Sequence, residues 1–306
     1  MAIPQSPQTA GMRSWRQARE KGSALYKFRY VNRERDFDPD WQGFAASVLR
    51  DSIAYFASPC DLNDPWEGRP HFLVPQCSFD ADEARPYIES FVALQEQEKR
   101  NEAIEWLRNV GFEEATRVMQ DHFYRSNRPF GVFSVAGNGV HPLLWSYYAN
   151  GYRGYCWVID QTLEPFATAS QVTYQSACPS IDWSRWHEGD HAQLLKLSLL
   201  TKASYWSHED EYRIVLRREA WKETEIVPHN GRGPAPAGRY VRIPPRALVG
   251  VILGGGMSEE DMRDLLRIVE RYRPDLSVFK QGIHRRHYEI CIEQLTPSER
   301  ARMFSP

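Results

Sequence analysis

Two glutamates, Glu209 and Glu211, lie two residues apart in "SYWSHEDEYRIVLRR" (204–218), between Trp206 and an apolar run that carries Arg213. In an extended chain residues i and i+2 share a face. That alternation predicts Glu209, Glu211 and Arg213 together, with Asp210 turned away. Neighbouring carboxylates repel, so the pair needs solvent or cations. One reading makes Glu211 and Arg213 a structural ion pair. The other places two carboxylates at the mouth of a cleft, where one stabilises developing positive charge and the other positions or deprotonates a nucleophile.

Three further stretches contain candidate chemistry. "HEGDH" (187–191) has the zinc spacing H-E-x-x-H, with Glu209 or Glu211 available as a third ligand. Gly189 inside the helix that spacing needs costs about 1 kcal/mol, and the preceding "CPSIDWSR" is turn-rich, so a plain surface helix is expected and no metal. "LNDPWEG" (62–68) offers Asn63 to read a polar edge and Trp66 to stack on a ligand. Its plainer reading is an Asx-turn with Trp66 plugging the core. "VILGGGMSEE" has strand, glycines and helix start, but its first-turn acids would repel a phosphate, so a tight turn is expected.

The elements that must position these residues read as α+β: a mixed, mainly antiparallel sheet with a helical insertion over about 80–126. Strands are expected at 24–31, 52–58, "PFGVFSVAG", "YRGYCWVID", "SQVTYQS", "EYRIVLRR" and 247–256. Helices are expected in "DWQGFAASVLRD", in "HPLLWSYYANG", over 190–203, and in "SEEDMRDLLRIVERY" with Ser258 as N-cap. "VPHNGRGPAPAGRYVRIPP" reads as a surface excursion. Residues 1–22 read as a loosely ordered segment with a short helix around "SWRQAREK", and 23–306 as one domain.

Composition narrows the function classes. The 306 residues are 42% hydrophobic and 25% charged, enough for a real core. A net charge of −2 with scattered Lys and Arg argues against a grip on nucleic acid. No apolar run approaches the ~20 residues of a membrane span, and the first residues lack the apolar core of a signal peptide. Five cysteines without a C-x-x-C pair read as reduced thiols in the cytoplasm.

Taken in order, "LYKFR", "SIAYFASPCDLNDPWEG", "FGVFSVAGNGVHPLLWSYYANGYRGYCWVID", "KASYWSHEDEYRIV" and "VGVILGGGMSEED" resemble domain of unknown function family 2971, a bacterial family. The likeness runs from about Leu25 to Asp261 and implies no activity by itself. The layout is also similar, more weakly, to Arg-Ser-Glu type ADP-ribosyltransferases. That resemblance matches Tyr26 and Arg29 to the first motif, Ser134 to the second, and Glu209 with Glu211 to the third. It implies a nucleotide ligand, NAD, consumed by a transferase or glycohydrolase with an unidentified acceptor. Glu211 would stabilise the sugar cation, Glu209 orient the nucleophile, and Arg29 hold the pyrophosphate. Tyr147 or Trp145 would stack on nicotinamide, with Asn63 in the ligand-holding loop. The alternative is a ligand- or partner-binding domain without catalysis, its Glu211–Arg213 pair structural; a zinc-dependent hydrolase using "HEGDH" is the minor alternative.

Overall fold

In chain order the strands are β1 (Ala24–Arg29), β2 (Ile53–Phe56), β3 (His71–Phe72), β4 (Phe130–Ala136), β5 (Tyr155–Asp160), β6 (Ser170–Gln171) and β7 (Thr173–Gln175). They continue as β8 (Ser180–Ile181), β9 (Thr201–Ala203), β10 (Glu211–Arg217), β11 (Arg239–Arg242), β12 (Leu248–Leu253), β13 (Ser277–Ile283) and β14 (Ile290–Gln294). The computed structural model describes residues 22–32, 45, 47–188, 191–217 and 239–304. Eight strands form one sheet in the order β14-β13-β12-β5-β1-β4-β10-β6. Every neighbouring pair is antiparallel except β12 and β13. A parallel pair needs a crossover, and the helix Glu259–Tyr272 supplies it. The α+β class with a mainly antiparallel mixed sheet is thus the observed architecture.

Alternation sorts the core. Leu25, Phe133, Val135, Trp157 and Ile214 face one side, where they meet Phe56, Val241 and Leu265. Phe28, Ala136, Cys156 and Val158 face the other side and pack on Leu144 and Trp145. The helical insertion consists of α1 (Arg85–Val92) and α2 (Arg100–Ser126), the latter interrupted at Gly111 (φ 80°, ψ 174°). Its apolar side closes over Phe72, Trp183 and Trp186. The helix in "HPLLWSYYANG" is α3 (Pro142–Tyr148).

Several segments depart from the sequence reading. The helix expected over 190–203 is α4 (His191–Leu199), followed by β9 and a 3-10 segment, Ser204–Glu209. "SQVTYQS" splits into β6 and β7, which join different sheets. The excursion before residue 245 contains β11, whose Tyr240 and Val241 pair with Tyr55 and Ala54 of β2, outside the main sheet. Strands β13 and β14 were not expected. The segment 1–21, half of the "DWQGFAASVLRD" helix, and 218–238 lie outside the described residues; Ser47–Asp51 is a π-helical turn. No described helix is long and apolar enough to cross a membrane.

The glycine-rich segment after β12 is a turn, as its sequence suggested, and it also makes a close backbone contact. A Cβ on Gly254 would lie 2.1 Å from the Tyr152 carbonyl oxygen and 2.5 Å from that of Gly154. Ser258 caps the following helix, α5 (Glu259–Tyr272), by accepting from Asp261 N. Gly254→Ala is therefore expected to cost about 1–3 kcal/mol, because backbone and not a side-chain tip must yield. The urea midpoint measures it, and an unshifted midpoint would show the contact to be soft.

Candidate active site

β1 pairs with β5 along all six residues but with β4 only at Tyr26–Ala136. Past that point Val132 of β4 bonds Ala57 through both backbone groups at 2.8 Å. β1 and β4 therefore part, and a cleft of about 440 Å³ opens between them. Such a volume suits a small ligand. Lys27 Nζ still links the two strands by donating to the Ser134 carbonyl at 2.7 Å.

The floor of the cleft is an ion cluster assembled from three places. Asp64 Oδ1 accepts from Trp66 N at 3.0 Å, an Asx-turn, and Gly68 (φ 67°) lets the chain turn back so that Glu67 is directed inward. Short strand β9 presents Lys202. The 3-10 segment ends at Asp210, which takes the left-handed conformation (φ 44°, ψ 51°) before β10 starts at Glu211. Asp tolerates that conformation better than most residues.

Lys202 Nζ lies 3.0 Å from Glu67, 2.6 Å from Glu209 and 3.1 Å from Glu211. Arg213 reaches Glu67 at 2.5 Å and Glu211 at 2.7 Å, and donates to the Leu199 carbonyl at 2.7 Å. Arg213 NH2 also lies 3.1 Å from Glu211 Oε2, so the guanidinium grips both oxygens of that carboxylate. None of the five side chains is more than 7% exposed. At that burial an isolated charge would not be tolerated, so the partners hold each other ionised. Three carboxylates share these two cations, and Lys27 and Arg29 line the same cleft.

Burial pushes the Glu211 carboxyl up, but Arg213, Lys202 and a hydrogen bond from Ser134 overcome it and hold the pKa at about 2. Glu209 goes the other way: burial outweighs its contacts with Lys202 and Tyr148 and raises its pKa. The Tyr148 hydroxyl donates to Glu209 at 2.5 Å. Burial drags the Lys202 ammonium down, yet the three carboxylates keep it above its ordinary value. The two glutamates are thus in different electrostatic states, the arrangement that lets one carboxylate stay charged while the other exchanges a proton.

Of the residues singled out in the sequence, Tyr26, Arg29, Asn63, Ser134, Tyr147, Glu209 and Glu211 all line this cleft. Trp145 does not. It is fully buried, its Nε1 donates to the Gly139 carbonyl at 2.9 Å, and its ring meets Phe28 edge-on. On α3, Trp145 and Tyr147 point about 200° apart, so only one of them can reach a ligand. Trp66 does not plug the core either; it is 65% exposed. Glu209 and Glu211 converge through the left-handed turn at Asp210, not by strand alternation. His187 belongs to a 3-10 segment and His191 opens α4, so the "HEGDH" histidines sit in separate elements; Gly189 and Asp190 lie outside the described residues. Glu67, Lys202 and Tyr148 were not picked out as site residues.

No family model, curated protein or solved structure matches the chain. The chemistry rests on the cleft itself.

Lys27 adds a titration near neutrality. Burial, then the like charge of Arg29, lowers its pKa from 10.5 to about 7, and its ammonium lies 4.8 Å from the Phe133 ring centre. The folded pKa is below the unfolded one, so carrying the proton costs the fold. That cost is full below about pH 7 and is relieved as pH rises towards 10.5. Lys27→Met is therefore expected to raise stability at pH 6 and to add little near pH 10. Urea denaturation at the two pH values checks it; an equal gain at both would place the Lys27 pKa elsewhere.

Proposed function

We propose that the cleft binds NAD and breaks the bond between its ribose and nicotinamide, passing ADP-ribose to water or to an acceptor. The observation that carries this reading is Glu211, its carboxylate fixed by Arg213 and Lys202, in one cleft with Ser134, Arg29 and Tyr26. The layout resemblance to Arg-Ser-Glu ADP-ribosyltransferases supports it. The reading includes a cytoplasmic setting, where the five thiols stay reduced.

The chemistry follows from the charges. As the C1′–N bond breaks, the electron pair leaves with neutral nicotinamide and the ribose becomes cation-like. Glu211, anionic throughout the neutral range, stabilises that charge. Glu209, its pKa raised by burial, takes the proton from the attacking hydroxyl or amine. Arg29 binds the pyrophosphate, and exposed Tyr147 stacks on the planar ring. Tyr148 orients Glu209 through its hydroxyl.

One observation favours a second reading. Both Glu211 oxygens are engaged by Arg213 and Lys202, which suits a rigid floor beneath a ligand-binding cleft without turnover. Titrating NAD by calorimetry tests what the two readings share. Saturable binding that weakens about tenfold (~1.4 kcal/mol) in Arg29→Glu and in Tyr147→Ala is expected. No binding by the wild type overturns the NAD assignment, and nicotinamide release separates turnover from binding alone.

A further inference from the structure

Strands β13 and β14 form an antiparallel hairpin at one edge of the main sheet. The loop between them, "HRRHYE" (284–289), closes where His284 N donates to the Glu289 carbonyl at 2.9 Å. His284 Nδ1 accepts from the backbone N–H groups of Arg286 and His287, at 3.2 and 3.1 Å. Its ring lies 4.7 Å from that of His287. The histidine thus holds the loop backbone in a compact tip, and Arg285, Arg286 and Tyr288 are left exposed.

Those outward side chains are of two kinds. Arg285 and Arg286, with Lys280 on β13, have no ion pair among the described residues. Tyr288 is fully exposed, and Ile283, at the other side of the loop, is 84% exposed. Glu289 and Glu293 are the hairpin's acids, at its stem, and positions 283–288 contain none. A concavity of about 850 Å³ beneath the tip is lined by Lys280, both arginines and both histidines, with Glu293 beside them. The whole-chain charge of −2 averages this cluster away.

We propose that the β13–β14 tip docks single-stranded nucleic acid. Unpaired cations track a phosphate backbone, and an exposed aromatic face stacks on a base whatever its identity. Lys280, Arg285 and Arg286 take the phosphates, and Tyr288 takes a base. Other polyanions fit less well. A duplex hides its bases from Tyr288, and an acidic peptide leaves that ring without a planar partner. A lipid surface calls for a continuous apolar face, whereas Ile283 and Tyr288 stand on either side of four arginine and histidine side chains. The assignment is independent of the NAD reading, because no residue of the cleft lines this concavity.

Fluorescein-labelled oligo-dT of about 15 nucleotides, titrated into the full chain at low salt and followed by anisotropy, tests it. Saturable binding is expected, with a log–log salt slope of about −2 for three phosphate contacts. The double variant Arg285→Glu, Arg286→Glu should weaken it at least about tenfold. Tyr288→Ala should weaken it at least about fivefold, while Tyr288→Trp keeps the wild-type affinity. Arg85→Glu, a charge reversal on the exposed side of α1, should bind as the wild type does. Absence of saturable binding, indifference to salt or to the tip variants, or an equal loss in Arg85→Glu overturns the assignment. Polyglutamate or phosphatidylserine vesicles competing as well as unlabelled oligo-dT would also overturn it, in favour of an acidic protein or a lipid surface.

Discussion

Lys202→Met is expected to lower the unfolding free energy by about 3–5 kcal/mol, the range seen when one partner of a buried ion pair is removed. The single ammonium touches Glu67, Glu209 and Glu211, so its loss leaves three buried carboxylates with Arg213 alone. Methionine fills the volume and keeps a contact with the Trp206 ring, over which Lys202 Nζ now sits at 5.0 Å. The deficit is therefore electrostatic and must depend on pH. Glu211 has a folded pKa of about 2, below its ordinary 4.5, so its contribution is present above 4.5 and is lost as pH falls towards 2. The gap between wild type and variant should narrow over that interval as the unmasked carboxylates take up protons. Urea denaturation at pH 7 and near pH 3 measures both parts. Equal stability at pH 7 would show that Lys202 does not hold the floor together.

Glu211→Gln is expected to reduce nicotinamide release from NAD by about 100-fold or more, the usual effect of removing one preorganised electrostatic stabiliser. The loss should fall on kcat with KM little changed, because the carboxylate acts on charge that develops only in the transition state. Glutamine keeps the shape but leaves Arg213 less well paired, so the variant must be assayed well below its own melting temperature. Ser134→Ala is a gentler probe of the same carboxylate. It removes a hydroxyl that helps keep the Glu211 carboxyl low and leaves the ion cluster intact. A raised KM with unchanged kcat in both variants would mean that Glu211 only shapes the pocket.

The strands that build the cleft were legible because their apolar residues repeat at the strand period. β1, β4, β5, β10 and β12 fall where the alternation and the apolar runs put them, and the insertion at 85–126 is helical as its spacing suggests. β13 and β14 were not legible: polar residues interrupt the apolar pattern in "SVFKQGI" and "ICIEQ", and β14 lies at the sheet edge. β11 hides at the end of a Gly/Pro-rich stretch and is a strand only because β2 pairs with it. Within the site, Glu209 and Glu211 were visible as an unusual acid pair, but their convergence depends on a left-handed residue that alternation does not foresee. Glu67 lies in the candidate ligand loop and Lys202 in "KASYWSHEDEYRIV", but neither stretch shows that the two meet. Glu67 meets Arg213 across 146 residues, and such a partnership arises from the fold alone. Helix spacing shows that Trp145 and Tyr147 cannot face the same way but not which of them faces the core; packing turns Trp145 into the core and Tyr147 towards the cleft.

The most direct measurement is nicotinamide release from NAD by the purified wild type, with and without cell lysate as a source of acceptor, beside Glu211→Gln and Ser134→Ala. Release by the wild type, falling about 100-fold in Glu211→Gln and by a smaller factor in Ser134→Ala, is the predicted result. No release under either condition, or release undiminished in a folded Glu211→Gln, would contradict a catalytic role for this carboxylate.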